Sequence, residues 1–160
     1  MEKPSSLRSF LTTSLAEALS KLTPDTAPTW GNMQPQDMIE HLVGAVKFSY
    51  GKPFDPAKTV HDTQKQYKQF LILNEAQPFP QNLKSPAYTN GLPPHQFADL
   101  EQAKQALHKA IADMYAYMDL PENQDKVHFN MAFGTLNNAE VEIFHWKHFT
   151  HHLKQFGLIA

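Results

Sequence analysis

Hydrophobic residues recur at steps of three and four along four segments, which is the spacing of amphipathic helices and limits the chain to a helical architecture. Prolines at 24 and 28 end the first segment, Pro35 opens the second and Gly51 ends it, and Asn137 with Glu140 forms a capping box before the fourth. The predicted helices cover residues 7–22, 35–50, 99–118 and 137–157, with Gly157 in the position that follows a helix.

The second and third helices are separated by a long stretch, residues 52–96, which holds most of the chain's twelve prolines. A further helix is predicted around residues 63–74, and no segment alternates as a strand would. Four helices with one long connection predict an all-α fold, a four-helix bundle with an irregular crossover at 52–96. At 160 residues, the chain is predicted to form a single domain spanning 1–160.

Charge and composition exclude several classes of function. Fourteen basic and sixteen acidic side chains give a formal charge of −2, which removes the electrostatic basis for binding nucleic acid or an anionic membrane. No apolar run approaches the roughly 18–20 residues of a membrane span, and the first residues lack the apolar core of a signal peptide, so a cytoplasmic location is expected. The absence of cysteine excludes disulfides, thiolate metal ligands and a cysteine nucleophile.

Histidine is concentrated in the last predicted helix, where four of the nine histidines lie within residues 145–152. At about 100° per residue, His145, His148 and His152 fall within roughly 60° of one another, and His151 is turned away. His148 and His152 form an i, i+4 pair with Cβ atoms about 5–6 Å apart, so two imidazoles could share one ion.

The best candidate for a third ligand is His41, in the middle of the second helix beside an apolar face. Bundles build metal sites in this way, with ligands from facing helices. Two other interpretations remain open at this point. Histidines near a helix C-terminus interact favourably with the helix dipole or are simply exposed, and a lone His41 would also suit a hydrogen-bonded core position. His145 is a further candidate, as a fourth ligand or as a partner of a ligand.

Two sequence motifs carry a resemblance to a known family. One is Met38-Ile39-Glu40-His41-Leu42, preceded by Trp30 and Gln34-Pro35. The other begins at His148 and ends His151-His152-Leu153-Lys154-Gln155-Phe156-Gly157, with Phe133-Gly134-x-Leu136 upstream. Together they resemble the DinB/YfiT-like superfamily, in a branch whose biochemical role is not established. One departure is Met131, which stands where that branch has a proline.

The resemblance implies a four-helix bundle that holds a divalent metal through His41, His148 and His152, with His151 not a ligand. Zinc, nickel and iron all suit imidazole ligands. Three neutral imidazoles leave at least one coordination position open, which is typical of catalytic rather than structural sites. The superfamily that it resembles includes thiol-dependent transferases and isomerases, which suggests by analogy a small-molecule substrate, including a low-molecular-weight thiol.

The first functional hypothesis is therefore a metal-dependent transferase or hydrolase, acting on a small molecule by thiol transfer or hydrolysis. The alternative is a non-catalytic, stress-associated bundle that the metal stabilises. A homodimer is compatible with either. In a catalytic site, part of the segment at residues 78–94 is expected at the rim, because long loops often cover such sites.

Other polar residues are weaker candidates. Asp37 and Glu40 could orient His41 through its second ring nitrogen, although solvated surface charge explains them equally well. Three residues of the third helix could reach a pocket, although helix packing accounts for the two tyrosines: Asp113, Tyr115 and Tyr117. The remaining histidines are interpreted as surface or structural residues: His61, His95, His108 and His128.

Overall fold

Five helices and a two-stranded hairpin make up the part of the chain that the computed structural model describes, residues 3–51, 60–81 and 91–160. Helix α1 runs through Leu7–Ser9, a π-helical turn at Phe10–Ser14, and Leu15–Leu19. Helix α3 joins Asp62–Tyr67 to a π-helical turn at Lys68–Leu73. The remaining helices are α2 (Pro35–Phe48), α4 (Leu100–Met118), followed by a 3-10 turn at Pro121–Asn123, and α5 (Asn138–Gln155).

The predicted helices are confirmed, with shorter ends in two cases. Helix α1 ends at Leu19 and α2 at Phe48, and α3 corresponds to the helix expected around 63–74. Two parts of the predicted crossover, residues 52–59 and 82–90, lie outside the described residues.

The last helix is capped at both ends as its sequence predicts. Asn137 Oδ1 accepts a hydrogen bond from Glu140 N at 2.9 Å, and Asn137 N donates to Glu140 Oε2 at 2.9 Å. At the other end, Gly157 adopts φ +64° and its N–H bonds Lys154 O at 3.0 Å, while Leu158 N bonds Leu153 O at 2.9 Å. This Schellman motif satisfies carbonyls that the helix end would otherwise leave unpaired.

The prediction of an all-α chain without strands is wrong in one place. Strand β1 (Val127–Asn130) pairs antiparallel with β2 (Gly134–Asn137), immediately before α5. Asn130 Oδ1 closes the connecting turn by accepting from the backbone N–H groups of Ala132 and Phe133. Four-residue strands are too short to show convincing alternation, and this turn depends on side-chain hydrogen bonds. The fold is therefore mainly helical with a small sheet.

The hydrophobic core lies between the helices and fixes which faces meet. Helix α2 packs along α4, and α5 contacts α1, α2 and the π-helical turn of α3. The fully buried side chains come from all five helices: Leu11, Leu15, Leu19, Met38, Ile39, Leu42, Ile72, Leu107, Ile111, Met114 and Phe149. This packing turns one face of α2 towards α5. Among the described residues, no helix is both long and apolar enough to cross a membrane.

Candidate metal centre

Three histidine side chains from two helices converge where α2 meets α5. His41 Nε2 lies 2.8 Å from His148 Nε2, and His152 Nε2 lies 3.2 Å from the same atom. One ring nitrogen from each of the three lies within 4.8 Å of those of the other two, close enough to hold one metal ion. The structure thus brings together the three residues predicted from the sequence.

The local sequence explains this convergence. His148 and His152 are one helical turn apart on α5, so both rings leave the same face. His41 follows the fully buried Met38 and Ile39 and precedes the fully buried Leu42, so the apolar contacts of α2 carry its ring towards α5. His148 and His152 are 9% and 6% exposed, which removes water as their main hydrogen-bonding partner.

The geometry suits a small divalent cation. Zinc–imidazole bonds of about 2.0–2.1 Å at a tetrahedral angle place neighbouring ligand nitrogens about 3.3 Å apart. The two Nε2–Nε2 distances, 2.8 and 3.2 Å, differ from that value by a few tenths of an ångström. Small side-chain rotations within the present backbone would therefore admit the ion.

Burial keeps the three imidazoles neutral, which is the form that binds metal. Burial lowers the pKa of His41 to about 4 and that of His152 to about 3, with further lowering by neighbouring histidines. Burial also holds the pKa of His148 well below its usual value. At neutral pH, the three rings are therefore neutral, and an Nε2 that carries a hydrogen in the contacts between the rings needs only to shift it to Nδ1 before binding an ion.

An outer hydrogen bond orients His152. Its Nδ1 lies 2.7 Å from Gln155 Oε1, and Gln155 Nε2 donates to the carbonyl of Trp30 at 3.1 Å. Sequence reasoning assigned no role to Gln155. The available signal was its position three residues after His152, on the same helical face.

Aromatic rings surround His148. The Phe144 ring stacks on it with centroids 5.3 Å apart at 22°, and the Phe79 ring lies 6.2 Å away. Phe79 belongs to the crossover, so the structure places the described start of the predicted 78–94 rim segment against a candidate ligand. Residues 82–90 of that segment lie outside the described residues.

Two other residues of α5, Lys147 and His151, contact the crossover and hold it against the helix. Lys147 is 5% exposed, and its Nζ donates to the carbonyls of Leu71, Asn74 and Gln77 at 2.6, 2.6 and 2.9 Å. One turn later, the His151 ring hydrogen-bonds the backbone carbonyl of Phe79. Sequence reasoning missed the part played by Lys147, and it placed His151 outside the cluster, where the structure also leaves it.

His145 does not join the cluster as a fourth ligand. Its Nε2 lies 2.8 Å from Ser49 Oγ, and this hydroxyl donates to Val46 O at 2.8 Å. The Ser49 oxygen must therefore accept, so His145 is protonated on Nε2. Burial lowers the pKa of His145 to about 3. His145 is a neutral core residue that links α5 to the end of α2.

Asp37 and Glu40 are occupied away from His41. Asp37 accepts from Gln34 N at the start of α2 and pairs with His95 at 2.8 Å. Glu40 accepts from Gln36 Nε2 and from the backbone N–H groups of Gln96 and Phe97, at 2.7 to 3.2 Å. Partial burial would raise the pKa of Glu40, but these hydrogen bonds outweigh it and lower the pKa. Both carboxylates therefore fasten residues 95–97 to α2.

The candidates on α4 also lie outside the cluster. Asp113 is exposed and pairs with Lys109 at 2.7 Å, and Tyr115 donates to Glu142 at 2.7 Å. The Tyr117 ring packs on Tyr50 and His128, so packing explains it.

The remaining histidines are surface or structural, as expected. His128 bonds Asn138, His95 pairs with Asp37, His61 precedes α3 and His108 lies half-buried on α4.

Comparison of the chain with family models, with curated proteins and with solved structures finds no match. The functional argument therefore depends on the residues of this chain.

Proposed function

We propose that His41, His148 and His152 hold one divalent metal ion, and that the chain is a metal-dependent enzyme acting on a small molecule. The observation that carries this proposal is the convergence of three Nε2 atoms, from α2 and α5, in a buried position. Thiol transfer and hydrolysis are the two reaction types that it favours. Zinc, nickel or iron would suit three imidazole ligands.

The ligand count supports catalysis. Of the described residues, three histidines form the cluster, and a four-coordinate ion would keep one position for a water or a substrate atom. When bound, such an ion polarises a ligand and lowers the pKa of a bound water or thiol. The chain's own contribution is to keep the imidazoles neutral by burial and to fix their directions through the packing of α2 against α5.

The charge of the site favours an anionic substrate atom. The ionisable groups that lower the pKa values of the three ligands are other histidines, all neutral in the buried site. A divalent ion with neutral ligands keeps its full charge, and a low-dielectric surrounding strengthens its attraction for an anion. A thiolate or hydroxide is therefore the preferred fourth ligand, which supports a low-molecular-weight thiol as substrate.

We also propose that the chain is a DinB/YfiT-like four-helix bundle, formed by α1, α2, α4 and α5. The two motifs that carry the resemblance lie on α2 and α5, the helices that supply the three histidines. The upstream part of the second motif, Phe133-Gly134-x-Leu136, lies in the hairpin. Helix α3 would then be an addition to that bundle.

The deep burial of the site favours a second candidate function, a non-catalytic bundle that the ion stabilises. His148 is enclosed by Phe144 and Phe79, and it is 9% exposed. Cobalt(II) distinguishes the two candidates, because its visible spectrum reports coordination. Adding 2-mercaptoethanol to the cobalt-loaded protein should produce a thiolate-to-cobalt band if a position is open to substrate. An unchanged spectrum would favour the structural alternative.

The ligand assignment is tested by replacing each histidine singly with alanine. We expect zinc affinity to fall by more than about 100-fold in His41→Ala, His148→Ala and His152→Ala, because each removes one of three bonds to the metal. His151→Ala is the matched control on the same helix and should stay within about threefold of the wild type. Zinc binding is measured by competition with a chromophoric chelator. Loss of binding in His151→Ala together with retention in His152→Ala would show that the wrong pair was assigned.

A further inference from the structure

Gln155 is buried at the end of α5 between a candidate ligand and the chain segment before α2. It is 5% exposed, with its side-chain oxygen 2.7 Å from His152 Nδ1 and its side-chain nitrogen 3.1 Å from the carbonyl oxygen of Trp30. A carbonyl can only accept, so the amide nitrogen must face Trp30 and the amide oxygen must face His152. The amide orientation follows from the hydrogen-bonding network.

This orientation determines the tautomer of His152. The Gln155 oxygen is an acceptor, so His152 Nδ1 must carry the hydrogen, and Nε2 then presents its lone pair to the cluster. Only this tautomer can bind a metal through Nε2 without first moving a proton. We propose that Gln155 is a positioning residue that holds His152 in its metal-binding tautomer and ring orientation, using the Trp30 carbonyl as a fixed support.

The segment that provides this support, residues 29–31, packs closely around the Gln155 amide. Gly31 adopts φ +75°, and a Cβ there would lie 3.1 Å from Gln155 Nε2. Thr29 N and Oγ1 both donate to the backbone carbonyl of Gln155, at 2.7 and 3.0 Å. Thr29, Trp30 and Gly31 thus all lie against Gln155. They fix the side-chain amide both through the Gln155 backbone and through its side-chain nitrogen.

The neighbouring ligand is held differently, which makes the role of Gln155 specific. His148 Nδ1 is buried with no hydrogen-bond partner among the described residues, and this ring is positioned by aromatic packing. His152 therefore has an outer-shell acceptor of the kind that orients metal-bound imidazoles and raises their basicity. Loss of such partners typically costs 10–100-fold in metal affinity.

The inference rests on the proposed metal site, so its test includes one measurement that needs no metal. Long-range ¹H–¹⁵N correlation spectra of the metal-free protein distinguish histidine tautomers. We expect His152 to be the Nδ1–H tautomer in the wild type and in Gln155→Glu, whose carboxylate also accepts. In Gln155→Met, which offers no comparable acceptor, we expect the Nε2–H form to appear.

Zinc affinity is then measured on the same proteins. We expect a loss of 10–100-fold in Gln155→Met and a smaller loss in Gln155→Glu, which keeps the acceptor for His152 and loses the donor to Trp30. Gln102→Met is the matched control, because it makes the same change at an exposed glutamine of α4 that bonds Asp99. It should bind zinc as the wild type does.

The outcomes separate the two proposals. An Nε2–H tautomer of His152 in the metal-free wild type would overturn the role of Gln155, and this measurement does not depend on whether a variant folds. Unchanged zinc affinity in folded Gln155→Met would also overturn it. A wild type that binds no zinc, yet shows the Nδ1–H tautomer and loses it in Gln155→Met, would overturn the metal site while supporting the role of Gln155.

Discussion

Helix α5 carries two buried polar centres, one at Lys147 and one at the neighbouring His148. The two are built in opposite ways. At Lys147, one ammonium group donates to three backbone carbonyls, so its three N–H donors are matched by three acceptors. At His148, three imidazole nitrogens converge from two helices. The first centre is a cation enclosed by its ligands, and the second is a set of ligands arranged around a position that suits a cation.

The difference separates a buried charge whose donors are all matched from a buried set of ligands that is matched only when an ion is added. A buried charge is tolerated when every polar atom finds a partner, as at Lys147. Gathering neutral imidazoles in a buried position costs desolvation, and His148 Nδ1 has no hydrogen-bond partner among the described residues. We therefore expect Lys147 to contribute to stability without any added ion, and the three histidines to contribute only when a metal is bound.

Of the three changes, acid should produce the largest difference between the two centres in their effect on the free energy of unfolding. The folded-state pKa values of His41, His145 and His152 are lowered to about 4, 3 and 3, and that of His148 is lowered well below its usual value. In the unfolded chain, these histidines bind protons near pH 6.5. The stability that depends on their neutral form is therefore fully present above that pH and is lost as pH falls towards 3–4. Each histidine held neutral in the folded protein steepens this loss by up to about 1.4 kcal/mol per pH unit.

Urea unfolding of the metal-free protein between pH 8 and pH 4 measures this slope. His145→Gln should reduce it by about one quarter. The ammonium group of Lys147 is surrounded by backbone carbonyls, which do not titrate, so we expect no acid-dependent loss at its centre. A pH-independent free energy of unfolding would contradict the buried, neutral state of the cluster.

Removing the lysine should produce the next largest effect. Lys147→Met leaves three carbonyls without their donor, and we expect a loss of about 3 kcal/mol in the free energy of unfolding of the metal-free protein. The matched control is Lys109→Met on α4, where the ion pair with Asp113 is exposed and where we expect little change in the free energy of unfolding. Equal effects of the two substitutions in urea denaturation would show that the carbonyl cage contributes nothing specific.

Added metal should give the smallest of the three effects, and only at the histidine centre. Zinc at 100 times its dissociation constant should raise the free energy of unfolding by about 2.7 kcal/mol, because the ion binds the folded protein preferentially. His148→Phe keeps a ring in the same position and should abolish this increment. Stabilisation of His148→Phe equal to that of the wild type would place the bound zinc elsewhere. Thermal unfolding with and without a chelator provides the measurement.

The sequence predicts one of these centres and not the other, for a physical reason. The ligands of the candidate metal site are side chains, and their spacing on amphipathic helices is visible in the order of residues. His148 and His152 are one turn apart, and His41 adjoins the apolar stripe of α2. The acceptors around Lys147 are backbone carbonyls, which every residue possesses, so no residue type marks them. Lys147 therefore resembles an ordinary surface lysine until the crossover is seen in place.

The same reasoning explains the other differences between prediction and structure. The helices follow from periodicity, and their caps follow from Asn137 and Gly157, so most of the fold is predictable. The hairpin is not, because its strands are four residues long and its turn depends on the side chain of Asn130. His145 shares the helical face of the ligands, and only the position of Ser49, 96 residues away, shows that it bonds a hydroxyl instead.

The sequence separation of the ligands also has a consequence for how the centre is assembled in time. His41 and His148 are 107 positions apart, so at synthesis rates of about 5–20 residues per second their codons are translated about 5–20 s apart. During that interval the nascent chain presents a single histidine of the three. The proposed ion could be captured only after α5 has been made and has packed against α2, so we expect metal acquisition to be a late step in the maturation of this protein.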